Sequence, residues 1–197
     1  PRYFVLFLIV YCSQSSVIDP ALIAKSQNLG FSLNDYKDAF DGLLENLGGK
    51  FHIYLNTNNG GHLYHPRVRF SFAHELGHYL IAEHYRALSD PRTKPQPSFQ
   101  TFDMENKYEV EADYFASCLL MPEVSLKKDF INQKFSFVVI DEMARKYNVS
   151  ITAALLRFIG IGYHPVMIVC TRSSIIRWVR YSYDFPFTYL LGGIGSK

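Results

Sequence analysis

Cysteine, long apolar runs and clustered charge are all scarce in this chain of 197 residues. Its three cysteines, Cys12, Cys118 and Cys170, form no Cys-x-x-Cys pair, which argues against a disulfide framework or a thiolate metal site and favours the reducing cytoplasm. The apolar run at residues 3–12 is too short to span a bilayer, so no membrane partner is expected. A net charge of +2 without any block of like charges gives no reason to expect a nucleic-acid partner.

Apolar residues, in contrast, are abundant enough to build a core. Hydrophobic residues make up 48% of the chain and charged residues 19%, a composition typical of globular proteins. A chain of this length is expected to bury one core. We predict a main domain over residues 19–162, preceded by an apolar segment of uncertain role at 1–18 and followed by a β-rich extension at 163–197 that packs on it.

The order of the predicted elements indicates an α+β fold. Asp19 and Pro20 form a helix start, and this first helix is expected to stop at Gly30. Alternating apolar residues at 40–46 and 51–56 predict a β-hairpin around a glycine turn. A small sheet is therefore expected early in the chain.

Helical spacing dominates the middle of the chain, and β-rich runs its end. One uninterrupted helix is predicted over about 68–85, with Ser71 a candidate N-cap. Further helices are predicted at about 104–120, 123–133, 136–147 and 150–159. Three prolines make 89–102 a long irregular loop. The runs at 166–170 and 175–179 predict a terminal hairpin.

The long helix contains the run His74-Glu75-Leu76-Gly77-His78, a His-Glu-x-x-His motif. Residues four apart on a helix lie about 40° apart around its axis, so both imidazoles can reach one ion at roughly 2.0–2.1 Å. Glu75 projects beside them toward a metal-bound water, which is the arrangement of a zinc-dependent hydrolase. Gly77 lowers the stability of an isolated helix, and this indicates close approach by a neighbouring element.

A catalytic zinc usually has three protein ligands, so a third must come from another part of the chain. His84 has the spacing of a longer zinc motif, but Ile81 stands where that motif needs glycine to turn the chain. In an unbroken helix His84 points roughly 80° away from His74. We therefore expect His84 to be a partly exposed residue near the helix end.

Glu109 is the stronger candidate for the third ligand. Glu109 and Asp113 are four residues apart and share a helix face with the small residues Ala112 and Ala116, which would allow close packing on the motif helix. Asp113 could then hold an imidazole N–H behind the metal. Glu111 points roughly 160° away from Glu109 around the helix axis, so it is the weaker ligand candidate. We expect it either to lie behind the ligands, as Asp113 does, or to complement the helix dipole.

Two parts of the sequence together resemble the ImmA/IrrE metallopeptidases, a bacterial, gluzincin-like family. They are Arg69-Phe70-Ser71-Phe72-Ala73-His74-Glu75-Leu76-Gly77-His78-Tyr79, and Glu109-x-Glu111-Ala112-Asp113-x-Phe115-Ala116 with Leu119-Leu120-Met121-Pro122. Flanking matches extend the resemblance over most of residues 19–185. It implies a zincin-like α+β domain over 19–162, in which a small mixed or antiparallel sheet packs on a helical core. One departure is Asp113, where the family more often has Asn.

The resemblance also implies a function and a set of residue roles. Zinc is held by His74, His78 and Glu109, and Glu75 is the general base that activates the zinc-bound water. Manganese or another divalent metal also suits these ligands. The implied substrate is a protein, a helix-turn-helix transcriptional repressor that is cut at a specific peptide bond. From its position alone, strand 51–56 is a candidate edge on which an extended substrate could pair.

Two other functions are compatible with the sequence. Residues 140–159 are similar to the helix-turn-helix of a DNA-binding regulator, although the second helix offers only Arg157 to contact DNA. A metal-bearing partner that grips a repressor without cutting it would carry the same zinc motif. Glu75 indicates the capacity for catalysis but does not identify the substrate.

Overall fold

The computed structural model describes residues 17–58, 61–90, 92, 98, 106–130, 132–161, 165–187 and 195. The predicted α+β order is confirmed. The described helices are α1 (Pro20–Ser26), α2 (Pro66–Leu80), α3 (Ala82–Ser89), α4 (Lys107–Leu120), α5 (Glu123–Phe130), α6 (Phe137–Tyr147) and α7 (Ile151–Ile161). The described strands are β1 (Gly30–Asn34), β2 (Gly42–Leu47), β3 (Lys50–Asn56), β4 (Met167–Arg172) and β5 (Ile175–Tyr181). The apolar run at 3–12 and most of the proline-rich loop lie outside the described residues.

The first helix begins as its sequence predicts. The Asp19 carboxylate accepts a hydrogen bond of 2.9 Å from the backbone N–H of Ala21, and Pro20 occupies the first helical turn. Proline suits this position because it lacks an N–H that would have no partner there. The helix ends at Ser26, and the chain then enters a strand at Gly30 that was not predicted.

Three strands form one sheet in the order β1-β3-β2. The antiparallel pairing of β2 with β3 confirms the predicted hairpin. β1 pairs in parallel with the other side of β3, so the prediction that strand 51–56 is an edge strand is wrong. Ile53 and Leu55 of this central strand are completely buried. β1 was missed because it has five residues and only Phe31 and Leu33 are large and apolar.

The predicted helix over 68–85 is in fact two helices. Its start is capped by His65, whose Nδ1 accepts from the N–H of Arg67, so Ser71 lies inside the helix and is not the N-cap. Ile81 then breaks the helix with extended backbone angles, φ −75° and ψ 117°. A β-branched residue adopts this conformation readily. The chain turns at Ile81, and α3 leaves in a new direction.

α2 is the central element of the fold, because it packs against α1, α3, α4, β2 and β3. Its most extensive packing is against α4. A Cβ added to Gly77 would lie 3.1 Å from the Phe115 ring and 3.3 Å from Cα of Ala112, which confirms the predicted close approach at this glycine. Ala112 and Ala116 are completely buried, as their predicted place on the packing face requires. These small residues hold the two site-bearing helices together.

The remaining elements agree with the predictions within a few residues. α4, α5, α6 and α7 correspond to the four predicted helices, and β4 and β5 form the predicted antiparallel hairpin. Ile168 packs this hairpin on the core. The proposed boundaries of the main domain and its extension stay predictions. Within the described residues no helix is both long and apolar enough to cross a bilayer.

The pair α6 and α7 occupies the segment that is similar to a helix-turn-helix. Arg157, the one basic side chain of the second helix, is buried, and its Nε donates to the carbonyl of Met121 at 3.1 Å. The apolar residues Ala154, Leu155 and Phe158 of the same helix are buried too. A recognition helix must present polar side chains to base edges. This packing therefore weighs against DNA recognition by α7.

Candidate metal centre

Three side chains that the sequence singled out meet where α2 faces α4. Nε2 of His74 lies 3.0 Å from Nε2 of His78, and the Glu109 carboxylate lies 3.1 Å from the first and 3.4 Å from the second. Zinc bonds of about 2.0–2.1 Å at tetrahedral angles separate ligand atoms by about 3.3 Å. Within the described part of the chain, this is the group of histidine, cysteine and acidic side chains that could hold a metal ion.

Glu109 and Asp113 are one turn apart on α4 and both contact His74. Oδ1 of Asp113 lies 2.8 Å from Nδ1 of His74, on the side of the ring away from the cluster. Burial alone would lower the pKa of His74, but hydrogen bonds to Asp113 and Glu109 raise it to about 10. Burial would raise the pKa of Glu109, but the two histidines lower it well below its usual range. The surroundings of this cluster therefore favour a positive charge.

His84 is placed differently from the prediction. It is 1% exposed, although a partly exposed position was expected, because the turn at Ile81 directs α3 back toward the site. Its Nδ1 lies 3.1 Å from Nδ1 of His78, and its Nε2 lies 2.9 Å from the Glu111 carboxylate. The hydrogen bond from His84 lowers the pKa of Glu111. Glu111 thus lies behind His84, and it is separated from the cluster by that ring.

Glu75 lies beside the two histidines and is 1% exposed. Its Oε1 has no hydrogen-bond partner among the described residues. The backbone of Gly42 on β2 approaches so closely that a Cβ there would lie 2.6 Å from this oxygen. Burial raises the pKa of Glu75. A buried carboxylate oxygen without a partner is costly, and such groups are often found where chemistry takes place.

A cavity of about 120 Å³ opens next to these side chains. Its polar wall includes Glu75, His78 and Glu109, and its apolar wall includes Leu44 and Leu88. A ligand in this cavity would therefore meet the general-base candidate and two of the possible metal ligands at once.

Two contributors to the site were not predicted from the sequence. His84 follows the motif by six residues, a spacing that reaches His78 only because the helix breaks at Ile81. Gly42 contributes through the absence of a side chain, and only the packing of β2 on α2 makes that absence relevant. In the sequence, the proximity of His84 to the motif could have indicated its role. Nothing in the sequence distinguishes Gly42 from the other glycines.

The chain was also compared with known proteins. Residues 52–158, more than half of the chain, match the sequence profile of the Peptidase_M78 family, described as the IrrE N-terminal-like domain. A search of curated proteins gave no match. The matched range contains His74, Glu75, His78 and Glu109, together with the sheet strand and the helices that position them. This chain therefore belongs to the ImmA/IrrE family of metallopeptidases, as its sequence motifs predicted.

Proposed function

We propose that this chain is a zinc-dependent endopeptidase and that its substrate is a helix-turn-helix transcriptional repressor. The observation that carries the proposal is the convergence of His74, His78 and Glu109 at ligand distances, with the unpaired oxygen of Glu75 beside them. The family supports peptide-bond hydrolysis. The repressor as substrate is supported by the family resemblance alone, and the cytoplasm as the location is proposed from the scarcity of cysteine.

Each side chain has a defined task in this proposal. His74, His78 and Glu109 would hold the ion, which when bound would act as a Lewis acid on water and on a peptide carbonyl. Glu75 takes a proton from the attacking water and delivers it to the leaving amine. Its position in a buried, poorly hydrated place favours the uptake of that proton. Asp113 accepts the Nδ1–H of His74 and so keeps Nε2 directed to the cluster.

The ligand set is tested by measuring bound metal in protein purified without added metal. We expect about one zinc per chain in the wild type and in Glu111→Gln, whose amide oxygen can still accept from His84, and much less in Glu109→Gln. The two variants are a matched pair, because the same substitution is made two residues apart on α4 and only Glu109 reaches both histidines. Loss of zinc in Glu111→Gln but not in Glu109→Gln would overturn this assignment, and manganese in place of zinc would correct the metal.

Catalysis is tested by mixing the wild type and Glu75→Gln with purified helix-turn-helix repressors and following the integrity of each repressor. We expect the wild type to cut one of them at a single bond and Glu75→Gln to be slower by about 10²–10⁴-fold, the usual contribution of a general base. Both proteins should retain the same metal content. Stable binding of a repressor without cleavage by the wild type would instead identify a non-catalytic partner.

A further inference from the structure

The side chain of His84 bridges the metal centre and a carboxylate on another helix. It lies on α3, is 1% exposed, and packs against the Tyr108 ring at a centroid distance of 4.7 Å. One ring nitrogen contacts Nδ1 of His78 at 3.1 Å and the other contacts Glu111 at 2.9 Å. Both nitrogens of this buried imidazole are therefore used. A histidine that only filled space in the core would not need two aligned polar partners.

The Glu111 carboxylate sets the direction of both hydrogen bonds made by His84. An ionised Glu111 can only accept, so Nε2 of His84 carries the hydrogen and donates it. In the neutral ring Nδ1 then has a free lone pair, which can accept from Nδ1–H of His78. Nε2 of His78 is consequently left with its lone pair, and this atom is the one that lies 3.0 Å from Nε2 of His74.

The two histidines of the motif are thus supported in different ways. His74 donates directly to Asp113, while His78 reaches its carboxylate through a second imidazole. We propose that His84 is a positioning residue of the metal centre, which holds His78 in the tautomer and orientation that present Nε2 to the ion. This inference rests on the proposed metal site. It assigns a role to the turn at Ile81, since a continuous helix would carry His84 away from His78.

The proposal is tested with two variants of nearly identical shape, His84→Asn and His84→Leu. Asparagine can place its Oδ1 where Nδ1 of His84 stands, so it keeps an acceptor for His78, whereas leucine fills the same space without one. Zinc affinity is measured by competition with a chelator. In parallel, nitrogen-15 NMR of labelled histidine in the metal-free protein at about pH 8.5 identifies which ring nitrogen of His78 carries the hydrogen.

We expect His84→Leu to weaken zinc binding by about 10–100-fold, the usual effect of losing a group that orients a metal ligand. His84→Asn should stay within tenfold of the wild type. The hydrogen of His78 should be on Nδ1 in the wild type and in His84→Asn, and should move to Nε2 in His84→Leu. Equal loss of affinity in both variants, or an unchanged tautomer in His84→Leu, would overturn the positioning role.

One further measurement keeps this test decisive. Thermal unfolding shows whether each variant folds. If His84→Leu does not fold, His84→Gln replaces it, because the polar end of glutamine reaches toward Glu111 rather than His78.

A wild type that takes up no zinc would refute the proposed metal site. In that case the tautomer of His78 in the metal-free variants still decides whether His84 orients its ring, so the two failures are distinguishable.

Discussion

Arg69 and Glu75 are both charged, both buried and six residues apart on α2, yet their surroundings differ completely. The Arg69 guanidinium donates to the carbonyls of Ile18, Tyr147 and Asn148. Glu75 leaves one oxygen without a described partner. A buried charge that is hydrogen-bonded costs a fold less than one with a missing partner, and buried groups without a partner are often found at functional sites. The same helix therefore has a structural end around Arg69 and a candidate reactive end around Glu75.

The structural end ties three segments of the chain together. Ile18 precedes α1, and Tyr147 and Asn148 form the C-terminal end of α6, where Asn148 is left-handed with φ 50°. Carbonyls at a helix C-terminus lack partners within the helix and favour a nearby cation. Burial lowers the pKa of Arg69, which reflects the cost of removing this cation from water, and the hydrogen bonds to the three carbonyls offset part of that cost.

The largest effect on stability is expected from Arg69→Met. Removing the guanidinium leaves two buried carbonyls and one partly buried carbonyl without this donor, and we expect the free energy of unfolding to fall by about 3 kcal/mol. Urea denaturation would measure the loss. Arg86→Met is the control, because Arg86 is exposed on α3, and it should change stability by less than about 0.5 kcal/mol. Similar losses in both variants would contradict the structural role of Arg69.

The position of the Glu75 carboxylate can be changed by a substitution at its neighbour Gly42. In Gly42→Ala the new Cβ would meet Oε1 of Glu75 at 2.6 Å, so the carboxylate must move. We expect cleavage of the substrate to slow by about 10–100-fold, since misplacement by about 1 Å has effects of this size. Zinc content should not change. Gly160→Ala, where an added Cβ meets nothing within 4 Å, is the control and should cleave at the wild-type rate.

The contrast between the two ends predicts that Glu75→Gln stabilises the metal-free protein. Replacing a buried carboxylate that leaves one oxygen without a described partner with a neutral group of the same shape should raise the free energy of unfolding by about 1–2 kcal/mol. Denaturation in the presence of a chelator would detect this increase. Glu83→Gln, at an exposed glutamate of α3, should leave stability unchanged. A loss of stability in Glu75→Gln would mean that its charge supports the fold.

The smallest effect concerns Asp129, a carboxylate that, like the Arg69 guanidinium, is hydrogen-bonded to residues of α6. Burial would raise its pKa, but hydrogen bonds from Lys146 and Tyr147, at 2.8 and 2.7 Å, lower it. Its contribution is therefore present above the unfolded-state pKa of about 3.9 and is lost as the pH falls through the lower folded-state value. We expect Asp129→Asn to lose about 1 kcal/mol at pH 7.

That difference should shrink as unfolding is measured at decreasing pH below about 4. Asp35→Asn provides the comparison, because Asp35 also has a lowered pKa through its contact with Lys37 but is exposed. Its substitution should give a smaller difference at every pH, since water screens an exposed pair. A constant difference between the wild type and Asp129→Asn down to low pH would show that packing, rather than charge, is responsible.

The sequence was most informative where local spacing determines geometry. The four-residue spacings of His74 with His78 and of Glu109 with Asp113 predicted which side chains would share a face, and α2 and α4 bring both pairs together. The hairpins and most helices followed from periodicity. Spacing alone could not predict which two helices would pack, and that inference depended on Gly77 and on the small residues Ala112 and Ala116.

What the sequence did not reveal depends on contacts between distant segments. β1 is short and weakly apolar, and it becomes a strand by pairing with β3. Neither glycine nor proline is present to predict the break at Ile81, and this break accompanies the burial of His84. Tertiary contacts overrode local preference at both places, because the intrinsic preferences of single residues are small.

The turn at Ile81 also affects how related sequences should be compared. Removing Tyr79 or Leu80 would leave the His-Glu-x-x-His motif intact, yet it would rotate α3 by about 100° relative to the site, since each residue of α2 contributes that angle. The motif alone therefore does not identify relatives that share this support for His78. An alignment should require the same number of residues between the motif and the histidine of α3, and relatives with a different count should support the ring with another group.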